Sequence, residues 1–236
     1  MQLIVSDFDG TYYTNDNDIL INNKYIEEFR SRGNLFMLSS GRSFKSLKEM
    51  AAKYNIPYDY LSCCDGSILY DNKDNIVTKY PLNNTILKKF LSLKKLVKIE
   101  RIQYSYPDDY YNKKCDDELI GCNIVVKNEF INNKFLKEFN HLKEIYPEFD
   151  FLMYSHDEIT FFCLKNSGIN KSSTIKYLEN SLNINHDDIY VFGDNFNDYP
   201  MLSLYNSYYI GDVDAKIKSV CRDGFQDVYD FFSYSS

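Results

Sequence analysis

Two rhythms of apolar and polar positions run along the chain. In the first, short apolar runs alternate with stretches whose apolar residues recur every three or four positions. Residues 2–7 predict a buried strand, and 22–32 a helix with Tyr25, Ile26 and Phe29 on one face, closed by Gly33. Leu35–Ser39 predict a second strand, after which Gly41 punctuates and Ser43 can cap a helix presenting Phe44, Leu47, Met50 and Ala51. A third strand follows Pro57 and ends near Cys64, where Asp65-Gly66 signals a turn before the short run 67–70.

The second rhythm occupies residues 83–165. Residues 84–97 read as a helix, 99–106 and 122–127 as strands, 129–145 as an amphipathic helix through Phe130, Phe135, Phe139 and Leu142, and 149–154 and 159–165 as strands. This αββαββ order predicts an antiparallel or mixed sheet. The first rhythm then returns with a helix at 172–182, a strand at 189–192, a helix at 197–204 that tolerates Pro200 in its first turn, a strand at 208–210 and two short helical runs. The predicted fold class is α/β: a parallel-sheet domain made of 1–82 and 166–236, interrupted by a smaller α+β domain at 83–165.

Charge sharpens this division. Residues 83–165 carry 13 Lys/Arg against 13 Asp/Glu, so the net charge of −7 lies entirely in the outer segments. An acidic protein of this kind is a poor match for nucleic acid or an anionic membrane surface. No stretch approaches the roughly 18 apolar residues a membrane span needs, and the N-terminus lacks the layout of a secretory signal, so a cytoplasmic location is expected. The six cysteines form no CxxC pair and are expected to be reduced; with three histidines they give no zinc pattern. Oligomeric state leaves no signal in the sequence.

The acidic excess includes SDFDGTYYT, residues 6–14, directly after the first strand. Side chains alternate along a strand, so Asp7 and Asp9 share a face while Phe8 points inward. Both fall at a carboxyl end, where ligands gather in open α/β sheets. Gly10 permits the chain to turn away there, and Thr11 is expected to satisfy nearby backbone groups. Like charges about 4 Å apart repel by roughly 4 kcal/mol at an effective dielectric near 20. A hard dication relieves this, and magnesium takes carboxylates, waters and substrate phosphate as ligands. Asp194, in VFGDNFNDYPML after another strand, can supply a further ligand, with Asn197 and Asp198 behind it to orient metal-bound water. Ser40 and Gly41, at the end of the second strand, suit phosphoryl oxygens. Lys171 stands at a helix start, where cation and free amides both favour an anion. Taken singly these are ordinary turn and surface residues, and only convergence on one crevice would give them a joint role. The loop 105–118 reads as solvated.

In this order the motifs resemble the haloacid dehalogenase superfamily, and within it the Cof-like, type IIB phosphatases: DFDGT at 7–11, Ser40 before Gly41-Arg42, Lys171, and GDNFND at 193–198. The resemblance covers nearly the whole chain and implies a Rossmann-like core with an inserted C2B cap. It departs at Ser40 where threonine is common, at Asp65 where asparagine is frequent, and at Tyr12 and Tyr13 where aliphatic residues are usual. It implies a phosphatase for small phosphorylated metabolites, with Asp7 as nucleophile and Asp9 as general acid and base. Mg2+ would sit on Asp7, the Asp9 backbone carbonyl and Asp194, and Ser40, Gly41, Gly10 and Lys171 would hold the phosphate. The rival readings are a sugar phosphomutase and a non-catalytic phospho-ligand-binding protein.

Overall fold

The protein is described by a computed structural model covering residues 1–114 and 118–234, with only the backbone at His156. Cys115, Asp116 and Asp117 of the 105–118 loop lie outside the described residues. The chain forms two compact units: Met1–Thr78 with Asn170–Ser236, and Lys79–Ile169.

In chain order the elements begin with β1 (Leu3–Ser6), α1 (Asp18–Ser31), β2 (Leu35–Ser39), α2 (Phe44–Lys53), β3 (Tyr60–Cys63), β4 (Ile68–Asp71) and β5 (Ile76–Lys79). The middle of the chain supplies α3 (Asn84–Ser92), β6 (Arg101–Ser105), β7 (Tyr110–Tyr111), β8 (Gly121–Lys127), α4 (Asn133–Ile145), β9 (Phe149–His156) and β10 (Ile159–Asn166). It closes with α5 (Lys171–Ser181), β11 (Ile189–Gly193), α6 (Tyr199–Leu202), β12 (Asn206–Ile210), α7 (Ala215–Lys218), β13 (Asp223–Phe225) and α8 (Val228–Tyr234).

The first unit holds an eight-stranded sheet in the order β13-β12-β11-β1-β2-β3-β4-β5. Pairing is parallel from β13 to β3, and β4 turns antiparallel. Central strands covered on both faces become continuous apolar runs, which is why Leu3, Ile4, Val5 and Phe36 to Leu38 are fully buried. Val5 sits between Val191 and Met37 in register, and these three pack with Ile175, Leu178 and Met201 as one core. From β1 the chain walks outward to β2 and β3; from β11 it walks the other way. The order therefore reverses between β1 and β11, which opens a crevice at their carboxyl ends.

The second unit is an antiparallel sheet, β7-β6-β8-β10-β9. Its core mixes aliphatic residues with an aromatic cluster in which Phe135 and Phe139 of α4 meet Phe162 edge-on at 4.6 and 5.0 Å.

Several elements differ from the sequence-based expectation. α1 begins at Asp18 because Ile19 and the polar Asn22 are both buried, and Asn22 turns inward to donate to the Tyr12 carbonyl and the Asp227 carboxylate. An apolar count misses such a residue. The helix expected at 84–97 stops at Ser92 and tightens into a 3-10 turn at 93–95, and those expected at 129–145 and 197–204 shrink to α4 and α6. β5, β7 and β13 are edge or near-edge strands of two to four residues, too short and polar to show an alternation of their own. Among the described residues no helix is long and apolar enough to cross a membrane, and the five described cysteines are free.

Candidate active site

The crevice is built by how β1 and β11 end. The Asp7 amide still donates to the Phe192 carbonyl at 2.9 Å, holding Asp7 against β11. The chain then folds back on itself, the Tyr12 amide bonding the Asp7 carbonyl and the Tyr13 amide that of Phe8. Phe8 is fully buried and anchors this loop. Gly10 has φ +87°, and an added Cβ would come within 2.7 Å of Asp194 Oδ2, so no other residue lets the two loops meet so closely. Thr11 donates its hydroxyl to Asp194 Oδ1 at 2.7 Å. The expectation that it serves local backbone is corrected: it ties the loop after β1 to the loop after β11.

Beneath the crevice lies a charged cluster. Lys171, the first residue of α5, is wholly buried, and its Nζ donates to Asp7 Oδ1 and Asp198 Oδ1, both at 2.5 Å. Asp198 Oδ2 accepts the Asp194 and Asn195 amides at 3.1 and 3.0 Å, so the buried carboxylate shapes the loop after β11. The hairpin from β3 to β4 fixes where Lys171 starts. Gly66, at φ +84°, passes so near that an added Cβ would lie 2.0 Å from the Asn170 carbonyl oxygen.

Asp7, Asp194 and Asp198 each offer an oxygen, all within 4.8 Å of one another. Burial pushes the Asp7 carboxyl up to about 8 against the pull of Lys171, and also raises Asp194 against its bond from Thr11. Burial works against the Lys171 ammonium too, yet Asp198 and Asp7 outweigh it and hold the lysine above its usual range. One cation among three carboxyls leaves an excess of negative charge, and the raised acids are how the cluster holds it. Oxygen-only donors with surplus negative charge are the set that suits a hard dication.

The crevice above, about 280 Å3, is lined by Asp7, Asp9, Ser40, Gly41, Arg42, Asn195 and Asn197. Asp7 and Asp9 therefore face one space but have different partners. Asp9 lies outside the carboxylate cluster: Arg42 Nε and Nη2 clasp its two oxygens at 2.7 Å each. Arg42 also reaches Ser46 and lies over the Phe8 ring. Ser40 Oγ accepts the Arg42 amide at 3.2 Å, which leaves its proton to donate into the crevice. Asn197 donates to Asp65 at 3.2 Å, spanning the crevice rim. The structure thus brings Asp7, Asp194, Asp198 and Lys171 into one cluster and Asp9, Ser40, Gly41 and Asn197 onto one wall, with Gly10 at their junction. Arg42, which the sequence shows only as part of its motif, and Asn195, which it leaves between turn former and ligand, both line the crevice. A cation directly after Ser40-Gly41 is the signal for Arg42 that the sequence carries.

The switch point of the parallel sheet thus carries a buried carboxylate, a lysine and further acids from a second strand end. The chain belongs to the haloacid dehalogenase-like hydrolases, whose family model matches residues 4–227. It is 29% identical over 236 aligned residues to an uncharacterized protein of Mycoplasma capricolum, covering 87% of this chain and 89% of that one. It is 22% identical to the Bacillus subtilis 5-amino-6-(5-phospho-D-ribitylamino)uracil phosphatase YcsE over 208 residues, 86% of this chain and 80% of the relative. A solved phosphatase of the haloalkanoate superfamily from Bacteroides thetaiotaomicron shares the fold with TM-score 0.76 at 14% identity, over 99% of this chain and 94% of that one.

Proposed function

We propose that this protein is a magnesium-dependent phosphatase for small phosphorylated metabolites, acting in the cytoplasm through an aspartyl-phosphate on Asp7. The observation that carries the reading is the Asp7 carboxylate, open to the crevice on one side and held by Lys171 on the other. Phosphatase names among the relatives support it. Magnesium on Asp7, Asp194 and the Asp9 backbone carbonyl would offset the repulsion between an anionic nucleophile and an anionic phosphate.

The remaining work falls to the chain. Ser40 donates to a phosphoryl oxygen, the loop at Gly10 and Gly41 closes around the others, and Lys171 fixes the attacking oxygen. Asp7 attacks phosphorus, the bond to the leaving oxygen breaks, and Asp9 gives that oxygen its proton. Asp9 then takes a proton from water, whose oxygen attacks phosphorus and releases Asp7 with inorganic phosphate. Because Asp9 must carry a proton in the first step, Arg42 has to release it as substrate enters, and the guanidinium is then free for a phosphate oxygen. Asp198 orients Lys171 and, with Asn197, the loop around the metal. The inserted segment 83–165 is assigned the role of a cap that selects the leaving group.

The test is phosphate release from p-nitrophenyl phosphate with magnesium. Asp7→Asn is expected to abolish release with the circular dichroism spectrum unchanged; turnover by that variant would remove Asp7 as nucleophile. Isomerisation of a sugar phosphate without net phosphate release would establish a mutase instead.

A further inference from the structure

The opposite end of the same sheet carries a second cavity, of about 500 Å3, that catalysis does not use. It opens at the amino ends of the strands, where Gln2 precedes β1 and Arg222 precedes β13. Five residues of extended chain separate Gln2 from Asp7, roughly 16 Å, so the two spaces are distinct. The volume lies within the range of about 300–1,000 Å3 typical of small-ligand sites.

Its walls combine two chemistries. Tyr190, Tyr208, Phe231 and Phe232 supply rings; Phe231 packs on Tyr190 at 5.5 Å and on Tyr208 at 5.1 Å, so the rings are held rather than loose. Arg32 and Arg222 supply two guanidinium groups at the rim. Arg222 has no carboxylate in ion-pair reach among the described residues, and it stands beside the Tyr208 phenol. Arg32 is paired with Glu28, one turn back on α1, an exposed contact of little strength that positions the side chain without neutralising the site. In a protein of net charge −7 whose other crevice is acidic, two arginines at an aromatic cavity mark the place where an anion is welcome.

We propose that this cavity is a second ligand site for a nucleoside monophosphate, its base lying against the half-buried Tyr190 and Phe232 and the exposed Tyr234, which the buried Tyr208 and Phe231 back from behind, and its phosphate held by Arg222 and Arg32. Guanidinium groups match phosphate oxygens in paired hydrogen bonds, and an aromatic wall accepts any base through its π face. An apolar molecule would leave the arginines unsatisfied.

Equilibrium dialysis of AMP, GMP, CMP and UMP against the full chain in EDTA tests this. At least one nucleotide is expected to bind with Kd below about 1 mM. Arg222→Ala should weaken it at least about tenfold, the loss of one charge-assisted hydrogen bond, and Arg32→Ala should weaken it in the same direction. Ser40→Ala, in the acidic crevice, should leave binding unchanged, and Arg222→Ala should leave p-nitrophenyl phosphate hydrolysis unchanged. Absence of binding by all four nucleotides, binding indifferent to Arg222→Ala, or binding lost in Ser40→Ala would each overturn the assignment. Absence of binding, or binding indifferent to Arg222→Ala, leaves the phosphatase reading untouched, and binding lost in Ser40→Ala would move the nucleotide to the phosphatase crevice.

Discussion

Replacing Lys171 by methionine removes the charge and keeps much of the volume. The ammonium is wholly buried and bonded to two carboxylates. At an effective dielectric near 20, each of two unit charges about 4 Å away is worth roughly 4 kcal/mol, and the lysine's own desolvation offsets part of that sum. Breaking a buried pair by deleting one partner costs about 3–5 kcal/mol because the other charge stays behind. Total stabilities run about 5–15 kcal/mol, so Lys171→Met should remove about a fifth of the whole or more. Urea unfolding followed by tyrosine fluorescence reads this directly, since the chain has 22 Tyr and no Trp.

The pH dependence supplies the sign. Burial already raises the folded Asp7 carboxyl to about 8, and removing Lys171 takes away the main opposition to that rise, leaving only the Phe8 backbone hydrogen bond. A carboxyl raised on folding destabilises once it must ionise, and that penalty fades as pH falls through the folded value toward the unfolded one. The deficit of Lys171→Met should therefore be largest near pH 8.5 and shrink by pH 5. A deficit below about 1 kcal/mol at pH 8.5, the range of an exposed ion pair, would refute the argument, as would an equal deficit at pH 5.

Other consequences are separable. Gly66→Ala forces a Cβ against the Asn170 carbonyl at positive φ and should cost at least about 1–3 kcal/mol, with kcat falling because Lys171 starts α5 there; near-wild-type stability would show that the loops do not meet. Magnesium should raise the thermal midpoint of the wild type in a concentration-dependent way and leave that of Asp7→Asn with Asp194→Asn unmoved, as scanning calorimetry would detect. His186 is bonded to Glu179, which raises its pKa. Its contribution is thus present below about 6.5 and lost as pH rises through the folded value. Unfolding free energies of His186→Gln from urea titration should fall below wild type by less than about 1 kcal/mol at pH 5.5, because the histidine is exposed, and the deficit should shrink by pH 8.5.

How far the site could be read in advance follows from where each interaction lies along the chain. Asp7, Ser40 and Asp194 follow apolar strands within a few residues, so local pattern places them at strand ends. Arg42 meets Asp9 across 33 positions and Lys171 meets Asp7 across 164, and no window of sequence reports such distances. Thr11 shows the same limit: its neighbours in sequence suggest a backbone partner, whereas its partner is 183 residues away.

The sequence by itself determined the alternation of strand and helix in the outer segments, the aromatic core helix at Phe135 and Phe139, and the residue types at each strand end, because periodicity and turn chemistry act over a few residues. Only the tertiary structure decided which carboxylates are buried, that Lys171 is spent on holding Asp7 and Asp198 together, that Arg42 clasps Asp9, and where the edge strands lie. Burial and Coulomb energy depend on what surrounds a side chain in space, and that is set by strand order, which no local pattern contains.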